Sequence, residues 1–332
     1  MQRHMLFAGL GGLALVLAVG SVVALAQDPA AGYRAAWPDT DFERSSIDFD
    51  EVLSGGPPRD GIPPIDDPSF EPVGASDLTD DMPVLSLELN GDARAYPLSV
   101  LMWHEIVNDV VGGEPVVIAY CPLCNSGAAF LATINGVVHD FGTSGLLRHS
   151  DLIMYDRQTD SWWQQFTGEA IVGELTGTEL EWIPMRTESI ELFRDRNPDG
   201  RILVPNDESA RPYGQNPYVG YDSLNWPFLY RGEYEGEGSP LSRVVAVGDE
   251  AWTLDLVREV GRIESGDLVI TWEAGQNSAL DTAEIASGED IGNVLVQRRN
   301  GDRLEDAVYT VPFAFAFRAF QPDGVVHEAD AP

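Results

Sequence analysis

The chain has 332 residues, 44% of them hydrophobic, enough for one large domain or two packed modules with a real core. Its net charge is −34, carried by 54 acidic against 20 basic residues, so a phosphate backbone would be repelled and nucleic acid is excluded as a partner. Every basic side chain other than histidine is arginine, a pattern that fits either adaptation to high salt or ordinary acidic solubility.

Arg3 and His4 precede an apolar run, Leu6 to Ala26, that ends Ala24-Leu25-Ala26. A basic start, an apolar stretch and a small-residue cleavage signal define residues 1–26 as a signal peptide or an uncleaved membrane anchor. Either way the body is expected to be exported, periplasmic or extracellular, with membrane attachment through this segment only. In an oxidising compartment two cysteines in one short motif form a disulfide or bind metal.

Residues 27–81 are rich in Pro, Gly and Asp and lack sustained periodicity, which predicts an extended strap, its first part to about Ser46 a flexible tether. The first β-rich module is expected over 82–205. It starts with a hairpin, VLSLEL and ARAYPL around Asn90-Gly91. Apolar spacing predicts a short helix over Ser99–Val110. Next comes EPVVIAYCPLCNSGAAF, two apolar strands joined by a turn that holds Cys121 and Cys124, the only cysteines of the chain. A connector rich in aromatic residues, Pro and Gly spans 206–242.

A second module over 243–332 repeats the first. Val244–Leu254 echoes the opening hairpin, and Asp267–Leu280 aligns without gaps on the cysteine hairpin, matching Tyr120 to Trp272 and Asn125 to Asn277. Glu273 and Gln276 then stand where the cysteines would be. Phe313–Val326 echoes SIELFRDRNPDGRIL. The fold class expected is mainly β with minor α: two diverged copies of a β-rich module around a shared core, with few short helices. The first copy carries about 40 extra residues, assigned to 142–182, and an insertion beside the cysteine turn is where a pocket would be built.

Cys121-Pro-Leu-Cys124 admits three readings: a structural disulfide, a metal knuckle, or a reactive dithiol. Soft thiolates favour zinc or copper(I) over calcium, and Asn125 suits the left-handed turn of a knuckle. Further ligands would come from His104, His139 or His149, or from Asp or Glu. His104 with Asp109 also has the makings of a base and its orienting carboxylate. Arg148 and Arg157 are candidates to hold an anionic ligand, although pairing with Asp151, Asp156 or Asp160 is the commoner fate. Trp162-Trp163 offers a ring to stack on a ligand, or simply core.

The blocks GGPPRDGIPPIDDPSF, RAYPL, HEIVND, YCPLC, GTSGLLRHSDLIMYDRQTDSWW, GEAIVGELTG and NPYVGYD together resemble the exported-protein family catalogued as domain of unknown function 3179, from about Ser54 to near the C-terminus. The resemblance implies an exported β-rich domain with no established reaction. Its motif positions fall here on His104, Asp109, Cys121, Cys124, Ser144, Gly145, Asp156, Ser161 and Gly168. Asn125 departs from the family's CPLCG, and His149 stands where Asn is usual, which moves the metal-ligand expectation to His104. The site expected is therefore Cys121, Cys124 and His104, with Asp109 in support and Ser144, Gly145, Arg148, Asp156, Ser161 and Trp163 lining it. It would bind a soft metal or perform thiol chemistry, with a small molecule or an envelope component as partner. The alternative is a non-catalytic envelope domain with a structural disulfide.

Overall fold

The computed structural model describes residues 28–328, and the expected signal peptide or anchor lies outside them. Within that span the protein is mainly β, with four short α-helices and several sheets. No helix among the described residues is long and apolar enough to cross a membrane.

The opening hairpin forms as its Asn-Gly turn predicts. Pro83–Leu89 pairs antiparallel with Asp92–Pro97, and Asn90 takes a left-handed φ of 50°. Helix α1 (Leu98–His104) follows and stops sooner than the spacing predicts. Glu105 turns left-handed, and Ile106–Val111 is a strand paired with Glu114–Cys121. The apolar residues of IVNDVV serve a strand as well as a helix, and their β-branched side chains fit the pleated pairing.

Glu114–Cys121 pairs in turn with Ser126–Leu131, so the cysteine turn joins two strands of a three-stranded sheet. Arg186–Ser189 then returns to pair with Pro83–Leu89. Helix α2 (Ile190–Arg196) follows, and Arg201–Val204 runs parallel to Asp92–Pro97.

The second half runs through the same kinds of element. Val244–Val247 and Glu250–Thr253 form a hairpin, followed by α3 (Leu254–Val260) and the strands Arg262–Ser265, Leu268–Glu273 and Asn293–Asn300. The chain then bridges back to the hairpin, Thr310 to Ala246 and Phe313 to Arg243. It enters α4 (Ala314–Phe320) and ends with Val325–His327 parallel to Glu250–Thr253. Ser189 faces Pro83 as Phe313 faces Arg243, and Arg94 faces Arg201 as Glu250 faces Val325. A nine-stranded sheet joins the halves where Thr187 pairs with Val294.

The gap-free match at the cysteine hairpin does not extend through its turn. Cys121 pairs with Ser126, whereas Glu273 pairs with Asn293. Gln276, Asn277 and Ser278 therefore lie in a long loop rather than in a tight turn.

The extra residues of the first half, joined by one strand of the strap, build a five-stranded sheet: Val52–Ser54, Phe141–Arg148, Asp151–Asp156, Trp162–Gln164 and Ala170–Val172. The segment before Ser46 is not a tether. Tyr33, Trp37 and Phe42 close edge-on around Trp162, with ring centroids 5.3, 5.4 and 5.4 Å away, and this burial holds the segment down. The strap continues across the same sheet, where the Gly55 and Asp60 amides donate to the Gly145 and Thr143 carbonyls.

Candidate metal centre

The cysteine turn is clamped from three sides. Asn125 takes the left-handed conformation its position asks for, φ 51°. Its side chain accepts from the Tyr120 hydroxyl at 3.1 Å and donates to the Val311 carbonyl at 2.8 Å. The Cys124 carbonyl accepts from the Phe313 amide, and the Leu123 carbonyl accepts from the Tyr221 hydroxyl, both at 2.9 Å. So fixed, the turn places the two cysteines 4.0 Å apart. Both thiols are free and buried.

Asp151 arrives from the five-stranded sheet. His149 and Ser150 take consecutive left-handed conformations, φ 54° and 66°, and deliver Asp151 as the first residue of its strand. The Ser150 carbonyl receives the Cys121 thiol at 3.8 Å. One ligand atom each from Cys121, Cys124 and Asp151 lies within 4.8 Å of the others. The three residues are 2, 0 and 0% exposed.

One oxygen of Asp151, Oδ2, accepts from Gln164 Nε2 at 2.6 Å and from the Phe166 amide at 2.9 Å. The other, Oδ1, is buried and meets no nitrogen or oxygen donor; the two thiols are the only donors near the carboxylate that are left to it. A buried carboxylate oxygen so poorly matched is costly, and here it belongs to the group that faces the two sulfurs.

Burial sets the protonation of the group. It pushes the Asp151 carboxyl up to about 7 and raises both thiols. Without a metal the two thiols therefore keep their protons at neutral pH, while Asp151 titrates close to it. A nucleophilic cysteine needs the opposite environment, one that lowers its pKa and gives access.

The 206–242 connector supplies the roof. Ser150 donates its hydroxyl to the Phe228 carbonyl at 2.5 Å, and Tyr221 reaches over Leu123. Tyr221 packs on Phe313 and Tyr230 on Phe315, with ring centroids 5.8 and 4.9 Å apart. Burial raises the phenols of Tyr218, Tyr221 and Tyr230.

The other residues expected at the site lie elsewhere. His104 is turned away: Nδ1 meets the Pro63 carbonyl and Nε2 the Tyr213 hydroxyl, both at 2.7 Å, and the ring stacks on Tyr213. Both nitrogens are thus spent. Asp109 accepts two bonds from Arg94 Nη1, at 2.5 and 2.6 Å, and one from Tyr96 at 2.7 Å. It orients no histidine.

Ser144 sits in a bulge, donating to the Ile153 carbonyl and accepting the Leu146 amide. Gly145, φ 74°, lets the strap pass: a Cβ there would stand 2.0 Å from the Pro57 carbonyl oxygen. Arg148 pairs with Glu51 at 2.6 Å and Arg157 with Asp66 at 2.8 Å: both are held in ion pairs, but with partners other than the expected Asp151, Asp156 or Asp160.

Asp156, Ser161 and Trp163 form a buried knot around a turn. Asp156 receives the Trp163 indole at 2.9 Å, the Thr159 amide at 2.8 Å and the Thr159 hydroxyl, and it pairs with His139 at 3.0 Å. Ser161 receives the Leu175 amide and the Thr159 hydroxyl. His149 stands 3.7 Å from Glu51 and edge-on to Phe320.

Asp151 is the member of the cluster that sequence spacing did not single out. Glu105, which follows His104, is 8% exposed and is pushed up to about 8 by burial and by Asp151.

Fold and site define a mainly β protein with a sealed Cys-Cys-Asp cluster able to hold a metal ion. The model of the family described as protein of unknown function (DUF3179) matches residues 59–324, most of the chain, and the chain belongs to that family. No curated protein and no solved structure matches it.

Proposed function

We propose that the protein holds one zinc-class divalent ion through Cys121, Cys124 and Asp151, in the exported body that its N-terminal signal predicts. The observation that carries this reading is the buried triad itself: two free thiols and the Asp151 carboxylate, with one ligand atom from each within 4.8 Å of the others. An ion there satisfies that carboxylate and takes the place of the thiol protons. A set of two soft sulfurs and one hard oxygen suits zinc better than copper(I), which favours sulfur throughout. Dithiol chemistry has less support, because burial raises both thiols and the aromatic roof covers them. The two cysteines are free in the structure rather than joined in a disulfide.

We propose further that the two halves are diverged copies of one module. The matching registers, Ser189 to Pro83 with Phe313 to Arg243 and Arg94 to Arg201 with Glu250 to Val325, support this.

Metal analysis and thiol counting on protein purified from the exported fraction test the centre. The expected result is one metal per chain, with both thiols titratable only after denaturation with a chelator. A Cys121→Ser/Cys124→Ser variant should carry none. Protein without metal, whose thiols react only after reduction, would sink the proposal in favour of a disulfide.

A further inference from the structure

His104 spends both ring nitrogens inside the fold, but His139 spends only one. His139 is 5% exposed, and its Nδ1 meets Asp156 Oδ1 at 3.0 Å. Asp156 is fully buried and is held in place by the Trp163 indole and by the Thr159 amide and hydroxyl. A carboxylate at Nδ1 fixes a neutral imidazole with its proton on that nitrogen and leaves Nε2 as an acceptor. Among the described residues nothing bonds Nε2, and the atom is not sealed from solvent. His139 stands on the wall of a cavity of about 570 Å³. A buried ring with an oriented, unused acceptor on a cavity wall does more than fill space.

The cavity is built by bonds between three segments. Asn108 donates to Asp66 Oδ1 at 2.7 Å and to the Phe141 carbonyl at 2.8 Å, and it accepts the Phe141 amide at 2.8 Å. Arg157 pairs with Asp66 at 2.8 Å, and its amide donates to the Asp140 carbonyl at 2.9 Å. The strap, the strand Ile106–Val111 and the segment at 138–140 are thus tied around the opening.

The charges on the wall do not cancel. Arg94 is engaged by Asp92 and Asp109, Arg201 by Asp92, and Asp66 by Arg157. Asp67 and Asp140 also line the cavity, and among the described residues neither has a basic partner. Asp140 receives only the Gln158 amide group, at 3.1 Å. The same cavity carries Val110 and Val138, which are 53 and 47% exposed.

We propose that this cavity binds a small organic ammonium ion with an apolar body. His139 Nε2 receives its N–H, Asp67 and Asp140 supply the counter-charge, and Val110 and Val138 cover the apolar part. A free acceptor nitrogen beside unpaired carboxylates selects a ligand that donates a hydrogen bond and carries positive charge. An anion is repelled by the same carboxylates. A chelated metal ion lacks the ligands, because the cysteine cluster is the only close set of three ligating groups among the described residues. The site is also separate from that cluster. Asp151 and Asp156 begin and end one strand, about 17 Å apart at about 3.4 Å per residue.

Titration of n-hexylammonium into protein labelled with nitrogen-15 at its histidines tests this, read by the ring-nitrogen resonances at about pH 8. His139→Gln identifies the signal. In the free protein Nε2 should be the unprotonated nitrogen, and it should shift saturably with the amine. Hexanoate, and a trimethylhexylammonium ion that has no N–H, should bind at least about tenfold more weakly. Asp67→Asn/Asp140→Asn alters exposed side chains only, and it should weaken the amine several-fold and flatten the salt dependence. Cys121→Ser/Cys124→Ser should bind the amine as wild type does, which keeps this result apart from the metal proposal. A proton on Nε2 in the free protein, no saturable shift with hexylammonium, or equal binding of hexanoate or the trimethyl ion would overturn the assignment.

Discussion

Asp151→Asn isolates the cost of a buried carboxyl at the centre. In the metal-free protein burial holds Asp151 near 7, against 3.8 for the unfolded chain. The folded value is the higher one, so between these two pH values the folded state keeps a proton that the unfolded chain has released. Stability from this group is present at low pH and is lost as pH rises through that interval. The shift of about three units corresponds to roughly 4 kcal/mol, all of it lost above about pH 7.

Asparagine removes that titration. Its Oδ1 still accepts from Gln164 and the Phe166 amide, and its amide group faces the thiols. The rearranged hydrogen bonds add a pH-independent offset of about 1–2 kcal/mol. Urea denaturation with a chelator present, from about pH 4 to pH 9, gives both curves. The variant should gain on wild type by about 4 kcal/mol across the range. Curves that stay parallel would refute the assignment of a buried, proton-holding carboxyl to this position.

Other consequences follow from the same geometry. His104→Ala should leave metal content at one per chain and lower stability by about 1–2 kcal/mol, because its ring bonds Pro63 and Tyr213 and nothing at the centre. Metal analysis with a urea midpoint checks both; loss of metal would restore His104 as a ligand. Gly145→Ala should cost about 3 kcal/mol, since its Cβ would meet the Pro57 carbonyl oxygen at 2.0 Å at a positive φ. Limited proteolysis should then cut the strap near residues 55–62 faster than in wild type. An unchanged cleavage rate would mean that the strap is not held at Gly145.

The sequence made the cysteine hairpin legible because its cues are local. Alternating apolar strands, two closely spaced thiols and an Asn able to turn left-handed all fall within Glu114–Phe130, and the strands and turn form there. The matched blocks likewise placed the chain in its family. The rest of the site is non-local. Asp151 reaches the thiols because His149 and Ser150 are both left-handed, and two such residues in succession are not something local propensity predicts.

At the end of α1, apolar spacing fits a helix and a strand equally well. The left-handed Glu105 decides between them, ending the helix at His104 and starting the strand at Ile106. Motif positions such as Ser144, Asp156 and Ser161 serve a buried bulge and a buried strand-end turn. A polar residue that satisfies a bulge or a knot leaves the same trace in a sequence as one that binds a ligand. The aromatic connector reads as a linker by composition, and only tertiary packing makes it a roof.

X-ray absorption at the zinc edge, on protein loaded with one equivalent of zinc, tests the central claim most directly. The account predicts a mixed shell of two sulfurs at about 2.3 Å and oxygens at about 2.0 Å, with the sulfur contribution absent in Cys121→Ser/Cys124→Ser. A shell of nitrogen and oxygen alone in the wild-type protein would contradict it.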